Sequence, residues 1–205
     1  LIFELFNLRM ANWAYHGLPA VRSLRWAGYF IAFASVIPAL EELALLAEPL
    51  FSGKLGLFRM KVKPFLLRTF AGLGLLCLVL VVIKPGIFFP LVWLGFIFLL
   101  EPLNYRLGQR SLLAELEKGE WQTFWSWASA GLAAGFFWEL FNYGAASRWQ
   151  YRLPYLNFGR VFEMPVLGYT GFLPFALEIF GFVQIFLGAR KRWPGKSPLV
   201  RAAIL

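Results

Sequence analysis

The sequence predicts an all-α membrane protein, a polytopic transmembrane helix bundle with a parallel internal repeat. Three observations predict it. The chain of 205 residues is 60% hydrophobic and only 15% charged, whereas an average soluble domain has about 25% charged residues. It contains several apolar stretches of about 20 residues, the length of a helix that crosses a bilayer. One set of motifs also occurs twice along the chain.

Five full spans are predicted after a partial one. The chain begins inside an apolar segment with no basic region before it, which predicts the end of a transmembrane helix whose start is missing rather than a signal peptide. The full spans are predicted at Trp26 to Leu50, Phe65 to Ile83, Ile87 to Asn104, Trp121 to Asn142 and Met164 to Gly188.

Shorter features between and within the spans predict how the helices are connected and packed. The Lys-Pro-Gly sequence at 84–86 predicts a tight reversal between the second and third spans. The segment 110–120 alternates leucines with charged residues, which indicates a short amphipathic surface helix. Gly131 and Gly135 give the fourth span a small-residue face for close helix packing.

The basic residues predict the orientation. The 20 Lys and Arg exceed the 11 acidic residues, but they lie almost entirely between apolar segments, which indicates loops beside anionic lipid and no nucleic-acid partner. Seven fall on one side of the predicted topology, namely Arg9, Arg22, Arg25, Lys84, Arg148, Arg152 and Arg160. The other thirteen fall on the opposite side. The positive-inside rule therefore predicts a multi-pass protein of the bacterial cytoplasmic (inner) membrane with a cytoplasmic C-terminus.

The internal repeat consists of four motifs offset by 135 to 137 positions. The first copy reads Phe3-Glu4-Leu5-Phe6-Asn7, Trp13-x-Tyr15, Leu18-Pro19 and Pro38-Ala39-Leu40-Glu41. The second reads Trp138-Glu139-Leu140-Phe141-Asn142, Trp149-x-Tyr151, Leu153-Pro154 and Pro174-Phe175-Ala176-Leu177-Glu178. We expect one membrane domain with repeat A at about 1–50, linking spans at about 51–120, repeat B at about 121–190 and a basic cytoplasmic tail at 191–205. The helices of Glu4 and Glu139 are four spans apart, with three spans between them, so they run in the same direction and form a parallel repeat.

The acidic residues are candidates for chemistry. All eleven are glutamates, and a glutamate inside a membrane span is costly unless it faces a protein interior, paired or protonated. The candidate catalytic residues are those that recur in the two copies, namely Glu139, Glu178, Glu4 and Glu41. A purely structural role is the alternative for each. Glu48 and Glu101 lie near the predicted cytoplasmic ends, where we expect their side chains to reach the interface.

Amides and aromatic rings accompany these glutamates as candidate substrate-binding residues. Asn7 and Asn142 follow Glu4 and Glu139 by three residues, which puts amide and carboxylate on one helix face and predicts a hydrogen bond between them. The aromatic candidates are Trp13, Tyr15, Trp149 and Tyr151. These rings are expected either to line a cavity or to form an interfacial aromatic belt.

Two prolines are predicted to shape the pocket, and no metal or cofactor is predicted. Pro38 and Pro174 precede Glu41 and Glu178 and are expected to kink their helices, which opens polar space in a bundle. The entry to the fifth span, rich in glycine, is expected to be partly non-helical. One histidine, one cysteine and no aspartate are too few ligands for a zinc, haem or clustered-aspartate magnesium site.

Two family resemblances follow from these motifs. The pattern Trp138-Glu139, Trp149-x-Tyr151 and Glu178, with a weaker copy ending Pro38-Ala39-Leu40-Glu41-Glu42, is similar to the integral-membrane lycopene (carotenoid) cyclases, which are duplicated and carry a Pro-x-Glu-Glu motif. Here the first copy has one extra residue after the proline and the second has one glutamate. The stretch from Phe162 to Glu178 resembles an uncharacterised family of bacterial polytopic membrane proteins.

The cyclase resemblance implies acid-catalysed cyclisation or isomerisation of an isoprenoid or carotenoid lipid. Glu139 or Glu178 would donate a proton to an alkene, and Glu4 or Glu41 would complete the pocket. The alternatives are a proton- or cation-coupled transporter and a non-catalytic membrane scaffold subunit. The expected partner is membrane lipid, with an apolar lipid as the candidate substrate, and the oligomeric state is left open.

Overall fold

The computed structural model describes residues 2–52, 58–155 and 157–192 and is mainly helical. The helices are α1 (Ile2–Met10), α2 (Arg22–Ala34), α3 (Val36–Ala47), α4 (Pro64–Ile83), α5 (Pro85–Phe88), α6 (Val92–Arg106), α7 (Leu112–Lys118), α8 (Gln122–Tyr143) and α9 (Phe172–Arg192). Short strands form two antiparallel ribbons, β1 (Trp13–His16) with β2 (Arg148–Tyr151), and β3 (Arg160–Val161) with β4 (Met164–Pro165). The all-α class is therefore confirmed.

Four helical segments of the described chain are long and apolar enough to cross a membrane, by length and composition. They are Arg22–Phe51, Pro64–Ile83, Pro85–Arg106 and Val166–Lys191. These segments match four of the five predicted spans and indicate a membrane protein.

The fifth predicted span, Trp121 to Asn142, is a helix with nearly the expected bounds but is not among these four. Small and polar residues lower the apolar character of α8, and many of them are buried, including Ser126, Glu139 and Asn142. They are buried because α8 packs against both α3 and α9. A helix that is covered by its neighbours exposes less surface to lipid and so carries more small and polar residues.

The core has two parts that α6 and α9 connect. One cluster, with Leu40, Trp127 and Phe180 at its centre, fills the space between α3, α8 and α9. The other, around Val81 and Phe96, lies between α4 and α6. Since α6 also packs against α9, the helices form one continuous bundle.

The predicted small-residue face of α8 is confirmed as the surface on which α9 packs. A Cβ atom placed on Gly131 would overlap the carbonyl oxygen of Phe172, and one on Gly135 would overlap the Phe172 ring. The two helices approach so closely only because these positions lack side chains.

The segment predicted as an amphipathic surface helix folds back onto the bundle. The helix α7 begins after Ser111, whose Oγ accepts the N–H of Ala114 at 3.1 Å. Its three leucines are buried, at positions 112, 113 and 116. The Glu101 Oε2 atom accepts the Leu113 N–H at 3.0 Å, and Glu101 is only 3% exposed. Glu101 therefore binds the start of α7 and does not reach the interface as expected.

The two equivalent prolines, Pro38 and Pro174, have different effects on their helices. Helices α2 and α3 are separated by an interruption at Ser35, about one turn before Pro38. Pro38 has no N–H, so it cannot donate a helical hydrogen bond to the carbonyl of Ala34. Pro174 instead lies in the first turn of α9, where its missing N–H breaks no helical hydrogen bond. A 3₁₀ helix at Val166–Gly171 precedes α9, so the residues predicted to be partly non-helical are helical, although not α-helical.

Two hydrogen bonds from side chains to backbone carbonyls lie at opposite ends of α4. At its C-terminal end, Arg9 Nε donates to the carbonyl of Val82 at 3.0 Å. Beyond its N-terminal end, Trp121 Nε1 donates to the carbonyl of Phe58 at 2.9 Å. Arg9 and residues 58–63 therefore lie at opposite ends of α4, in agreement with their prediction on opposite sides of the topology. The predicted tail lies outside the described residues from position 193.

Candidate functional site

The two Trp-x-Tyr loops pair with each other in the ribbon β1–β2. Trp13 lies opposite Tyr151, and Tyr15 lies opposite Trp149. The ribbon thus brings the four candidate aromatic residues together from loops that are far apart in the sequence. Repetition of the motif predicted two similar loops but gave no sign that they form one sheet.

The first carboxyl cluster forms where α1 meets β1. The Glu4 Oε1 atom accepts hydrogen bonds from Tyr15 Oη at 2.7 Å and from Trp13 Nε1 at 3.2 Å. Glu4 is partly exposed and lines the main cavity of the protein. Its carboxyl group is therefore both held by two donors and accessible from the cavity.

The second cluster repeats the same arrangement between α8 and β2. The Glu139 Oε1 atom accepts from Tyr151 Oη at 2.7 Å and from Trp149 Nε1 at 3.2 Å. Glu139 is fully buried, and its Oε2 atom has no hydrogen-bond partner among the described residues. Burial of a carboxylate oxygen without a hydrogen-bond partner is unfavourable.

Both tyrosine hydroxyls remain protonated at neutral pH. Burial, and then the hydrogen bond to Glu4, raise the pKa of Tyr15 above its usual value. Burial and the charge of Glu139 raise the pKa of Tyr151 well above its usual value. Each hydroxyl is therefore a hydrogen-bond donor to its glutamate.

The two asparagines bind the backbone and not the carboxylates, which corrects the prediction. Asn142 Nδ2 donates to the Trp149 carbonyl at 2.9 Å, and its Oδ1 accepts the Trp149 N–H at 2.8 Å. Asn7 Nδ2 donates to the Trp13 carbonyl at 2.8 Å, and its Oδ1 accepts the Trp13 N–H at 3.2 Å. Backbone groups that leave a helix need partners, and these amides supply them. Asn7 and Asn142 are therefore positioning residues for the two tryptophans.

We expect Asn142→Ala to lower the free energy of unfolding by about 2 kcal/mol, because it leaves the partly buried N–H and carbonyl of Trp149 unpaired. The measurement is unfolding by sodium dodecyl sulfate in mixed micelles, followed by circular dichroism. Asn157→Ala is the control, since that exposed amide donates to a single carbonyl. Equal losses in the two variants would contradict a backbone clamp at Asn142.

The two clusters face one cavity of about 650 Å³, within the usual range for small-molecule sites. Its interior is mainly aromatic. The Phe175 ring lies 5.4 Å from Phe3, 5.8 Å from Trp93 and 6.0 Å from Trp138, centroid to centroid. Among the described residues that line it, Glu4 is the only glutamate, lysine or arginine. The cavity is therefore suited to an apolar molecule that meets a single carboxyl group.

Of the four candidate glutamates only Glu4 lines this cavity, since Glu139 lies behind its wall and Glu178 and Glu41 lie elsewhere. Glu178 is fully buried in α9, and neither of its carboxyl oxygens has a hydrogen-bond partner among the described residues. Glu41 lines a second cavity of about 350 Å³ with Glu42, Glu48 and Arg110. The ribbon thus brings the clusters of Glu4 and Glu139 together, whereas Glu178 and Glu41 lie outside them.

The sequence did not single out several residues that shape the cavity. Trp93 and Phe175 form its aromatic interior. Tyr29 on α2 lies 5.9 Å from Tyr15, centroid to centroid. A chain with 19% aromatic residues offers no local signal that distinguishes such rings from lipid-facing ones. The one signal in the sequence that points to Tyr29 is that the pair Gly28-Tyr29 occurs again as Gly168-Tyr169.

Within the described ranges, no group of three or more histidine, cysteine or glutamate side chains is placed to hold a metal ion. Comparisons of the chain with protein-family models, with curated proteins and with solved structures gave no match.

Proposed function

We propose that the protein is a metal-independent membrane enzyme that isomerises or cyclises an apolar unsaturated lipid of the isoprenoid type by acid–base catalysis. One observation carries the proposal: in each of two Glu–Trp–Tyr clusters at a single aromatic cavity, the tyrosine hydroxyl and the indole N–H donate to the glutamate. The cavity offers proton-exchanging groups and aromatic faces, which are the two requirements of carbocation chemistry.

The reaction uses only protons. Addition of a proton to one carbon of an alkene leaves a carbocation, which rearranges or closes a ring, and loss of a proton from a neighbouring carbon restores a double bond. No oxidant, reductant or cofactor is consumed. Glu4 lines the cavity and is the group that exchanges a proton with the lipid. The rings of Trp13 and Trp149, which also line it, stabilise the cation.

Glu139 is the second acid and acts from behind the cavity wall. It contacts Trp149 and Tyr151, both of which line the cavity, through hydrogen bonds to their side chains. Its Oε1 atom accepts the hydrogen bond from the Tyr151 hydroxyl, so Glu139 fixes the position of a polar group in the cavity wall. The two carboxyl groups thus have different roles, one exposed to the ligand and one buried.

We also propose that the two halves arose by duplication and form a parallel repeat about an axis along the membrane normal. The equivalent Tyr–Glu distances, 2.7 Å in both clusters, support this. The register of the ribbon supports it as well, since exchanging each residue with the one 136 positions away leaves the pairing unchanged. The excess of basic residues on one side supports a bacterial inner membrane with the C-terminus in the cytoplasm.

The proposal predicts that Glu139→Gln and Glu4→Gln each lower turnover by about a hundredfold or more, since general acid–base groups contribute factors of that order. The measurement is mass spectrometry of apolar lipids that co-purify with the protein. We expect one unsaturated lipid to accumulate unchanged in both variants. Glu117→Gln, on an exposed side chain bonded to Tyr105, is the control and should match the wild type. Bulk phospholipid alone in every sample would overturn the proposal.

A proton-coupled transporter is the second candidate, and the unpartnered Glu178 favours it. Ionisable residues buried within a candidate span often serve proton relays. Proton uptake into liposomes that contain the purified protein distinguishes the two functions. A transporter would lose that uptake in Glu178→Gln without any change in a lipid's structure.

A further inference from the structure

We propose that the main cavity is filled sideways from the hydrocarbon layer of the membrane, through an opening flanked by Ile37 on α3 and Phe141 on α8. This inference deepens the proposed function, because it names the source and class of the ligand for the same cavity. The ligand is an uncharged apolar molecule dissolved in the bilayer interior, not one delivered from water.

The first observation is that residues on the cavity wall are also exposed on the outer surface. Ile37 is 42% exposed and Phe141 is 69% exposed, yet both line the cavity. Ser35, at the interruption between α2 and α3, is likewise exposed and lines the cavity. Residues that belong to both surfaces mark the place where a cavity opens to the outside.

The second observation is the thin wall beside this opening. All thirteen residues of α2 are described, and none has a buried side chain. Tyr29 and Phe33 nevertheless line the cavity, while Trp26 and Phe30 are exposed on the same helix. Helix α2 is therefore a single layer between the cavity and the surroundings of the protein.

The third observation places the opening at the depth of the acyl chains. Ile37 lies within the candidate span Arg22–Phe51. It follows Arg25 by twelve residues, which is about 18 Å along a helix at about 1.5 Å per residue. The hydrocarbon layer is about 30 Å thick. With Arg25 at the interface, Ile37 lies within that layer.

The ribbon loops lie at the polar end of the cavity. Ser147 is the exposed polar residue at that end of the lining. Its Oγ donates to the carbonyl of Gly17 at 2.8 Å, which ties the loop before β2 to the loop after β1. This contact narrows the route from water, whereas apolar side chains flank the opening at Ile37.

The test uses photolabelling of the full chain in lipid nanodiscs. A hexadecyl chain that carries a diazirine is dissolved in the bilayer and irradiated, and the labelled residues are identified by mass spectrometry. A short diazirine alcohol in the buffer tests the aqueous route. The variants Ser35→Trp and Ile37→Trp place a large ring in the opening. Leu75→Trp is the matched control, on an exposed site of α4 outside the cavity lining.

We expect the bilayer probe to label Phe175 inside the cavity of the wild type and of Leu75→Trp. Labelling of Phe175 should fall severalfold in both opening variants, while labelling near position 75 stays constant. Far-UV circular dichroism establishes that each variant is folded. Labelling of Phe175 by the aqueous probe alone, or undiminished labelling in both opening variants, would overturn the lateral route. The lipid profile of Glu139→Gln tests the enzymatic proposal independently, so failure of one proposal leaves the other standing.

Discussion

Replacing Gly131 with leucine is expected to destabilise the protein by about 3 kcal/mol, the upper end of the usual cost of overpacking. The new Cβ would overlap the carbonyl oxygen of Phe172 and come within 2.8 Å of the Ala176 Cβ atom. Backbone cannot rotate away as a side chain can, so α8 and α9 would have to separate. Because these helices carry Glu139 and the aromatic residue Phe175, the cavity would be disturbed as well.

Two further glycines make this prediction specific. Gly135→Leu should cost less than Gly131→Leu, because its Cβ would meet the Phe172 ring, which can move. At Gly72 on α4, no described atom lies within 4 Å of an added Cβ. Gly72→Leu should therefore be neutral or stabilise the helix by up to about 1 kcal/mol. Unfolding by sodium dodecyl sulfate measures all three, and a similar loss at Gly72 and Gly131 would contradict close packing as the cause.

Glu178→Met is expected to increase the free energy of unfolding by about 1–3 kcal/mol, the cost of burying a polar group without a partner. Both carboxyl oxygens of Glu178 are buried without a hydrogen bond among the described residues. Methionine has a similar length and needs no partner. A glutamate kept at such a cost indicates selection for something other than stability, which is why Glu178 belongs to the transport alternative.

Glu101→Met is the matched control for that measurement. Glu101 is almost as deeply buried, but its Oε2 accepts the N–H of Leu113 at 3.0 Å. Its replacement leaves that N–H without its partner and should destabilise the protein by about 1–3 kcal/mol. Opposite signs at the two sites are the expected result. Destabilisation by both substitutions would show that Glu178 has a stabilising partner and would remove this argument for a functional role.

Most of the helical architecture was predictable. The second predicted span, Phe65 to Ile83, differs from α4 by one residue, and the reversal at Lys84 is present. Apolar length and helix-breaking residues decide such boundaries locally. The position of segment 110–120 was not predictable in this way. An alternation of leucine and charged residues fits a helix on a lipid surface as well as a helix packed on a protein.

Several residues of the site were predictable from the sequence, but their arrangement was not. Repetition identified Glu4 and Glu139 together with their Trp-x-Tyr loops. It could not show that the loops pair across the ribbon, or that Asn7 and Asn142 bind backbone instead of carboxylate. A spacing of three residues places two side chains on one helix face, but it does not choose between their available partners.

The amino-acid sequence was sufficient for the properties that depend on neighbours along the chain: apolar length, chain reversals, the small-residue face of α8 and the repeated motifs. Tertiary packing placed Glu4 in one cavity, Glu139 behind the wall of that cavity, Glu41 in another cavity and Glu178 at an unpartnered site in α9. The physical reason is that burial and hydrogen bonding depend on which helices lie side by side. Equivalent motifs therefore acquire different surroundings when Pro38 follows a helix interruption and Pro174 begins a helix.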